Sequence, residues 1–353
     1  MTRYHAALTK EIKQFVEQES PKTELFKKDP LKTIFFGGGT PSTYPDDLLL
    51  DMFGILERLF VVNRDTEISL EVNPGTVRPE QLELWKRLGI NRLSIGVQSL
   101  NNAVLRNLNR HQSAQDVAAV LRDAKDLIPN LSIDLIIGLP GISEQEWKEL
   151  VRAVVQWPIK HISIYFLTIH EGTALFFRVK KNEVVLPPDE AVVDLYIWTV
   201  AFLAEHGFEQ YEISNFAREG YYARHNQVYW ARTPYKAFGV GACSFDGAFR
   251  YQNNKNIMQY LDAMEQGHDS NDFTEQLTEE QVFLEKVMLG LRQSTGIKTS
   301  MIFDYSAPHK KEKIMGAIEE MEQVGYLKRM DETIRLTPLG LAVENEVVVT
   351  LSQ

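Results

Sequence analysis

Residues 32–42, KTIFFGGGTPS, constrain this chain more than any other stretch. A short apolar strand, 33–36, runs into three consecutive glycines, Gly37, Gly38 and Gly39, and then into Thr40, Pro41 and Ser42. Glycine has no Cβ, so the backbone can take positive φ there and a ligand can approach closely. A strand that feeds a glycine turn and then a helix also leaves N–H groups facing a charged or polar group. A tight βα connection is the plain alternative. Three glycines in a row, fixed by a proline, exceed what a connection needs and favour ligand contact. No Gly-Lys-Ser/Thr follows, so this is not a Walker loop, and the Gly-x-Gly-x-x-Gly dinucleotide spacing is absent as well.

Around that turn the chain alternates strands and helices. An amphipathic helix is expected over 4–19, with Tyr4, Ala7, Leu8, Ile12 and Phe15 at helical spacing. Strands are expected at 67–72, 92–97, 131–137 and 161–167, and helices at 46–59, 79–88, 114–127 and 144–155. Short loops between them make this α/β with a parallel sheet. Thr40, Glu71, Asn73, Gln98, Asp134 and Thr168 stand at or near the carboxyl ends of the strands. Barrels and open α/β sheets place their sites there, so a barrel or half-barrel with one ligand site across that rim is expected.

After Thr173 the pattern changes. A helix is expected over 189–206, a strand at 211–214, and a polar, aromatic stretch at 224–232. A helix opening on a Thr278 cap runs over 277–292, a second covers 311–324, and a hairpin flanks Met330, Asp331 and Glu332. Helices, hairpin and final helix read as a small winged-helix-like unit of mixed charge, suited to packing or partner contact rather than DNA. The expected division is 1–173, 174–270 and 271–353.

Composition narrows the function. A net charge of −10 argues against a nucleic-acid partner gripped through phosphates. No apolar run is long enough to span a bilayer, and no secretory signal opens the chain. A single cysteine, Cys243, rules out an internal disulfide and makes the cytoplasm the expected location. One thiolate cannot hold a zinc or iron–sulfur centre.

Several residues carry two readings. Glu71 is either a ligand for an ammonium or ribose hydroxyl or an exposed strand-end charge. Gln98 and Ser99 end an apolar strand, where a polar amide must find a partner. Asp134 lies inside an apolar strand, a costly place for a carboxylate without a role. Arg110 is a carboxylate clamp or a solvated helix-end charge. His225, in the HNQVYW hexamer at 225–230, is an ordinary structural histidine on spacing alone. Cys243 reads as a small buried residue.

Seven segments in order resemble the radical S-adenosylmethionine enzymes of the oxygen-independent coproporphyrinogen III oxidase family. They are FFGGGTPS (35–42), EVNPGT (71–76), RLSIGVQSL (92–100), NRH (109–111), DLIIGLPG (134–141), SIYFLTIHEGT (163–173) and YEISNFA (211–217). Within the family, HNQVYW is similar to the HNxxYW signature of the heme-chaperone subgroup. The resemblance implies a partial (β/α)6 barrel with a C-terminal extension and a small helical end domain. It places S-adenosylmethionine across the strand ends. Gly38, Gly39 and Thr40 match the loop that contacts its methionine part, and Glu71, Gln98, Arg110 and Asp134 match contacts to its amino, carboxylate or ribose groups. His225 becomes a candidate heme ligand. The implied function is binding heme and passing it to an acceptor protein. The alternatives are coproporphyrinogen III oxidase activity and a non-catalytic binding module.

The chain departs from the family at one place. The first strand and its CxxxCxxC loop, expected before the opening helix, are missing, and Cys243 cannot replace three thiolates. The resemblance implies a [4Fe–4S] cluster in an intact member, but no metal ligands for one in this chain. A start set downstream of the cluster loop is the expected reason, rather than a cluster-less relative. One barrel edge should then be unpaired or covered by a neighbour.

Overall fold

The computed structural model describes residues 1–17, 29–305 and 311–352. Its centre is a seven-stranded sheet. Five strands are parallel: β1 (Thr33–Phe36), β2 (Glu67–Val72), β3 (Arg92–Gln98), β4 (Asn130–Ile137) and β5 (His161–Phe166). Helices Asp46–Leu59, Pro79–Arg87, Ala114–Ala124 and Glu144–Val154 connect them. These bounds follow the expected ones closely, because each helix has local start signals. Ser113 and Ser143 close capping boxes with Asp116 and Glu146, and a proline precedes or opens two of the others.

The two faces of the sheet differ. Ile68, Leu70, Leu93, Ile95, Ile133, Leu135, Ile162 and Ile164 pack with Phe53, Trp85, Val117 and Trp147 of the helices in one apolar core. The alternate residues on the other, concave face are polar: Glu67, Ser69 and Glu71; Arg92 and Ser94; Ser132 and Asp134; His161 and Ser163. Parallel strands covered on both faces are usually near-continuous apolar runs. Here period-two alternation persists through a parallel sheet, so one face lies on the helices and the other faces a polar interior.

Beyond β5 the expected single strand at 211–214 is a hairpin. β6 (Glu209–Glu212) and β7 (Asn215–Ala217) pair antiparallel, and β7 pairs with β5. The Glu212 carboxylate accepts the Ser214 N–H at 2.8 Å and fixes the reversal. The polar, aromatic stretch is a helix over Arg224–Trp230. A three-stranded antiparallel sheet, β8 (Cys243–Phe245), β9 (Phe249–Asn253) and β10 (Asn271–Gln276), was not foreseen. NDFTEQ is too polar and CSF too short to show the alternation that marks strands, and FRYQN alternates over only four residues. Cys243, expected to be buried, is exposed, with its Sγ 3.0 Å from Gln252 Nε2. The two residues after it, Ser244 and Phe245, are buried.

The C-terminal region has its own core of Val287, Leu291, Ile302, Ile318, Ile334 and Leu351. Helix Glu279–Leu291 starts at the Thr278–Gln281 capping box, and helix Lys311–Gln323 follows. β11 (Ile297–Lys298), β12 (Leu327–Met330) and β13 (Thr333–Leu336) form its sheet, with the β12–β13 turn at Asp331 in the left-handed region.

The first helix, Thr2–Glu17, joins barrel and extension; residues 18 and 19 of the expected helix lie outside the described residues. Ile12 packs with Met52, Ile55 and Phe60, and Ala7 with Tyr260 and Met264. Between these contacts Glu11, 6% exposed, accepts hydrogen bonds from Gly239 N (2.9 Å), Asn253 Nδ2 (2.7 Å) and Tyr260 Oη (2.8 Å). Glu11→Ala removes the acceptor of three buried donors, of which Asn253 Nδ2 keeps a second partner in Gly239 O at 2.8 Å. It is expected to cost about 3 kcal/mol or more in urea unfolding, with an unchanged slope. A loss within about 0.5 kcal/mol, the range of an ordinary surface change, would show that water replaces the carboxylate.

Candidate functional site

The rim begins at the glycine turn. Gly38 and Gly39 have φ of 76° and 65°, the left-handed region that glycine alone enters freely. A Cβ at either position would meet nothing within 4 Å, so both face open space. Gly37 differs: its Cβ would lie 2.3 Å from the Phe35 ring and 3.1 Å from Glu71 Cδ. Gly38 N–H donates to Glu71 Oε2 at 3.0 Å, which ties the turn to the end of β2. Thr40 is exposed and its carbonyl accepts from Thr43. Ser42, 1% exposed, holds the next turn down: it bonds Thr76 Oγ1 at 2.8 Å and accepts from Asn73 N at 3.1 Å.

Gln98 ends β3 with φ of 63°, at a bulge in the β3–β4 register. A glutamine there is strained, and such outliers gather at functional sites. At the bulge Gln112 Nε2 donates to Gly96 O (2.6 Å) and Val97 O (2.9 Å). Ser42 and Gln112 were not foreseen. Their partners are distant in sequence, and neither type announces a site.

Asp134 is half-buried on β4, and Ser94 Oγ donates to both its oxygens at 3.1–3.2 Å. Burial raises its pKa, against the hydrogen bonds from Ser163 and Ser94 and the pull of Arg92. Glu71 is also raised, first by burial, and the Asp134 charge adds to it; the Gly38 N–H works the other way. The fold thus holds two carboxylates near each other beside an open glycine cradle. That arrangement suits a ligand that brings positive charge. Arg110 is not drawn into the cluster: it is exposed, and its side chain makes no hydrogen bond or ion pair among the described residues.

Deeper in the concave face, Glu67 is 3% exposed and accepts the backbone N–H groups of Arg224 (3.2 Å) and His225 (3.0 Å). A carboxylate at a helix N-terminus satisfies donors that have no partner in the helix. This fixes the Arg224–Trp230 helix against β1 and β2. His225 Nδ1 lies 2.9 Å from Thr33 Oγ1, Nε2 lies 2.9 Å from Tyr229 Oη, and the ring stacks on Phe35 at 4.7 Å. Burial pushes the imidazole pKa down to about 4, so it is neutral near pH 7. Burial likewise pushes the Tyr229 hydroxyl up to about 12.

Two family models match this chain: the Radical SAM superfamily over residues 10–154 and the HemN C-terminal domain over 277–343. The heme chaperone HemW of Bacillus subtilis is 31% identical over 336 residues, 94% of this chain and 88% of that protein. The chain belongs to the HemW family of radical SAM proteins. A bovine relative, radical S-adenosyl methionine domain-containing protein 1, mitochondrial, is 30% identical over 91% of this chain and 75% of its own length. The solved structure of coproporphyrinogen III oxidase (HemN) from Escherichia coli, 21% identical, covers 100% of this chain and 83% of its own with a TM-score of 0.80. That likeness establishes the fold: the curled half-barrel sheet with a C-terminal domain.

Membership in the HemW family implies S-adenosylmethionine and a [4Fe–4S] cluster. The acidic rim with its glycine cradle fits the first, a ligand with ammonium and sulfonium charges. The residues present do not fit the second. The chain has one cysteine, and among the described residues no group of three or more His, Cys, Asp or Glu converges as a metal site. Among the described residues no helix is long and apolar enough to cross a membrane.

The rim carboxylates have a measurable cost. A raised carboxylate pKa means the folded state holds that proton more tightly than the unfolded one. Its contribution to stability therefore falls as pH rises through the folded pKa. Asp134→Asn removes the cost. It is expected to raise the melting temperature by a few degrees near pH 7, with the gain shrinking as the pH falls and Asp134 takes up its proton. Calorimetric melts of both proteins across that range check this, and a lower melting point for the variant near pH 7 contradicts it.

Proposed function

We propose that this chain is a heme carrier that binds heme at the Arg224–Trp230 helix and passes it to an acceptor protein in the cytoplasm. The observation that carries this reading is His225: a neutral imidazole held inside the barrel mouth between Thr33, Phe35 and Tyr229. Flat aromatic walls and an uncharged nitrogen or phenol are what a heme site requires. The curated relatives named heme chaperones support the same reading.

In this reading S-adenosylmethionine lies across the strand ends. Gly38, Gly39 and Thr40 run along its methionine part. Glu71 and Asp134 answer its positive charges, and Gln98 and, by reaching in from solvent, Arg110 complete the contacts to its carboxylate and ribose. Glu71 and Asp134 are the best supported of these, since burial raises the pKa of each, a cost that a bound cation would offset.

Titration of the chain with hemin, followed at the Soret band, tests the heme site. His225→Ala is expected to shift the band and weaken binding about ten- to hundredfold. Cys243→Ser should leave both within about twofold, as for a surface change. A His225→Ala protein with unaltered spectrum and affinity removes the helix from the site. Turnover of coproporphyrinogen without heme binding would favour the oxidase alternative.

A further inference from the structure

The C-terminal sheet sets two cations against each other. In the β12–β13 register Lys328 stands directly opposite Arg335, so the two side chains leave the same face. Like charges in that relation destabilise an antiparallel pair. Their neighbour Arg329 has its carboxylate, with Nη2 2.9 Å from Glu322 Oε2. Lys328 and Arg335 have neither an ion pair nor a side-chain hydrogen bond among the described residues. Lys328 is exposed, but Arg335 is half-buried. A guanidinium is a planar fork of N–H donors, and burying it without acceptors is costly.

Both side chains line one cavity of about 350 Å³, which Gln210 and Glu212 of the β6–β7 hairpin line as well. It therefore lies at the seam between the barrel and the C-terminal region. The other charged residues around it are already paired. Arg292 gives Nε and Nη2 to Glu344 at 2.9 and 3.0 Å. Glu212 is 1% exposed, and both its oxygens accept hydrogen bonds within the hairpin turn, from Ser214 N and Asn215 Nδ2. Among the described residues the cavity thus has two free cations and no free carboxylate.

We propose that this cavity binds a small oxyanion with two or more negative charges, a phosphate or a dicarboxylate, between Lys328 and Arg335. The Arg335 fork takes two oxygens side by side, and the Lys328 ammonium adds a point charge. The ligand supplies the acceptors that the sheet lacks and turns a repulsive cross-strand pair into a bridged one. The cavity's volume suits a small ligand. The chain as a whole carries a net charge of −10 and repels anions, so binding depends on these two side chains. Because hairpin and C-terminal sheet both wall the cavity, an anion held there favours the docked arrangement and stabilises the fold by mass action.

Titration calorimetry and thermal melts of the full chain test this, with inorganic pyrophosphate or succinate set against potassium chloride at equal ionic strength. The wild-type chain is expected to bind at least one of the two anions and to melt a few degrees higher with it than in the chloride control. A response to pyrophosphate alone assigns the site to phosphates, and one to succinate alone assigns it to dicarboxylates. Arg335→Gln should weaken binding about tenfold or more. Lys328→Glu, at an exposed position, sets a carboxylate opposite Arg335 in place of the ligand. It should raise the melting temperature with no anion added and remove the response to both anions. No binding and no shift beyond the chloride control overturns the proposal. A wild-type response in folded Arg335→Gln or Lys328→Glu protein, checked by circular dichroism, overturns it as well.

Discussion

Glu67 is a carboxylate almost wholly removed from water at the start of β2, and it holds the concave side of the barrel together. A buried charge costs several kcal/mol unless its lone pairs are filled. Here they are filled by the first two N–H groups of the Arg224–Trp230 helix, so the helix has one place to sit. Neighbouring groups complete the polar interior. Arg92, buried and lowered in pKa by that burial, donates to Asn130 at 3.2 Å and feels the Glu67 charge. His161, kept neutral by burial, links Ser132 at 2.7 Å to Tyr211 at 2.8 Å.

The same device recurs at the other joints between segments. Glu11 fastens the first helix to the extension through three donors. Glu285, on the Glu279–Leu291 helix, meets both Arg232 and Arg250 and so joins the C-terminal region to the segment just after the His225 helix. Glu344 grips Arg292 with both oxygens, at 2.9 and 3.0 Å. Breaking a buried pair from one side is far more destabilising than the pair is worth in net terms. Such joints therefore specify how segments dock more than they add to overall stability.

The rim works in the opposite sense. Glu71 and Asp134 are held near each other with raised pKa values, and Gln98 is held in a backbone region that glutamine avoids. Each is a local loss borne by the apolar core behind the sheet. That core buries Leu93, Ile95, Leu131 and Ile133 completely, which makes the strand ends a rigid frame for strained residues. The apolar packing and the strained polar residues are thus separated between the two faces of one sheet.

The sequence by itself determined the parallel α/β architecture, the glycine turn and the order of the rim loops. Those are local properties: apolar periodicity, serine and proline helix starts, and glycines whose φ only glycine takes without cost. It also determined the family, through seven short segments in order. It did not show the β8–β10 sheet or the β6–β7 hairpin, whose strands are too polar or too short to leave a period. Nor did it show which side chains meet. Thr33 and His225 are 192 residues apart, and Glu67 and His225 are 158 apart. HNQVYW could be read as a motif, but only the folded chain decided that its imidazole bonds Thr33 and stacks on Phe35. Only the fold, too, could put Glu71 beside Asp134 and leave Arg110 in solvent. Burial and long-range hydrogen bonding set those roles, and both depend on the whole sheet closing around them.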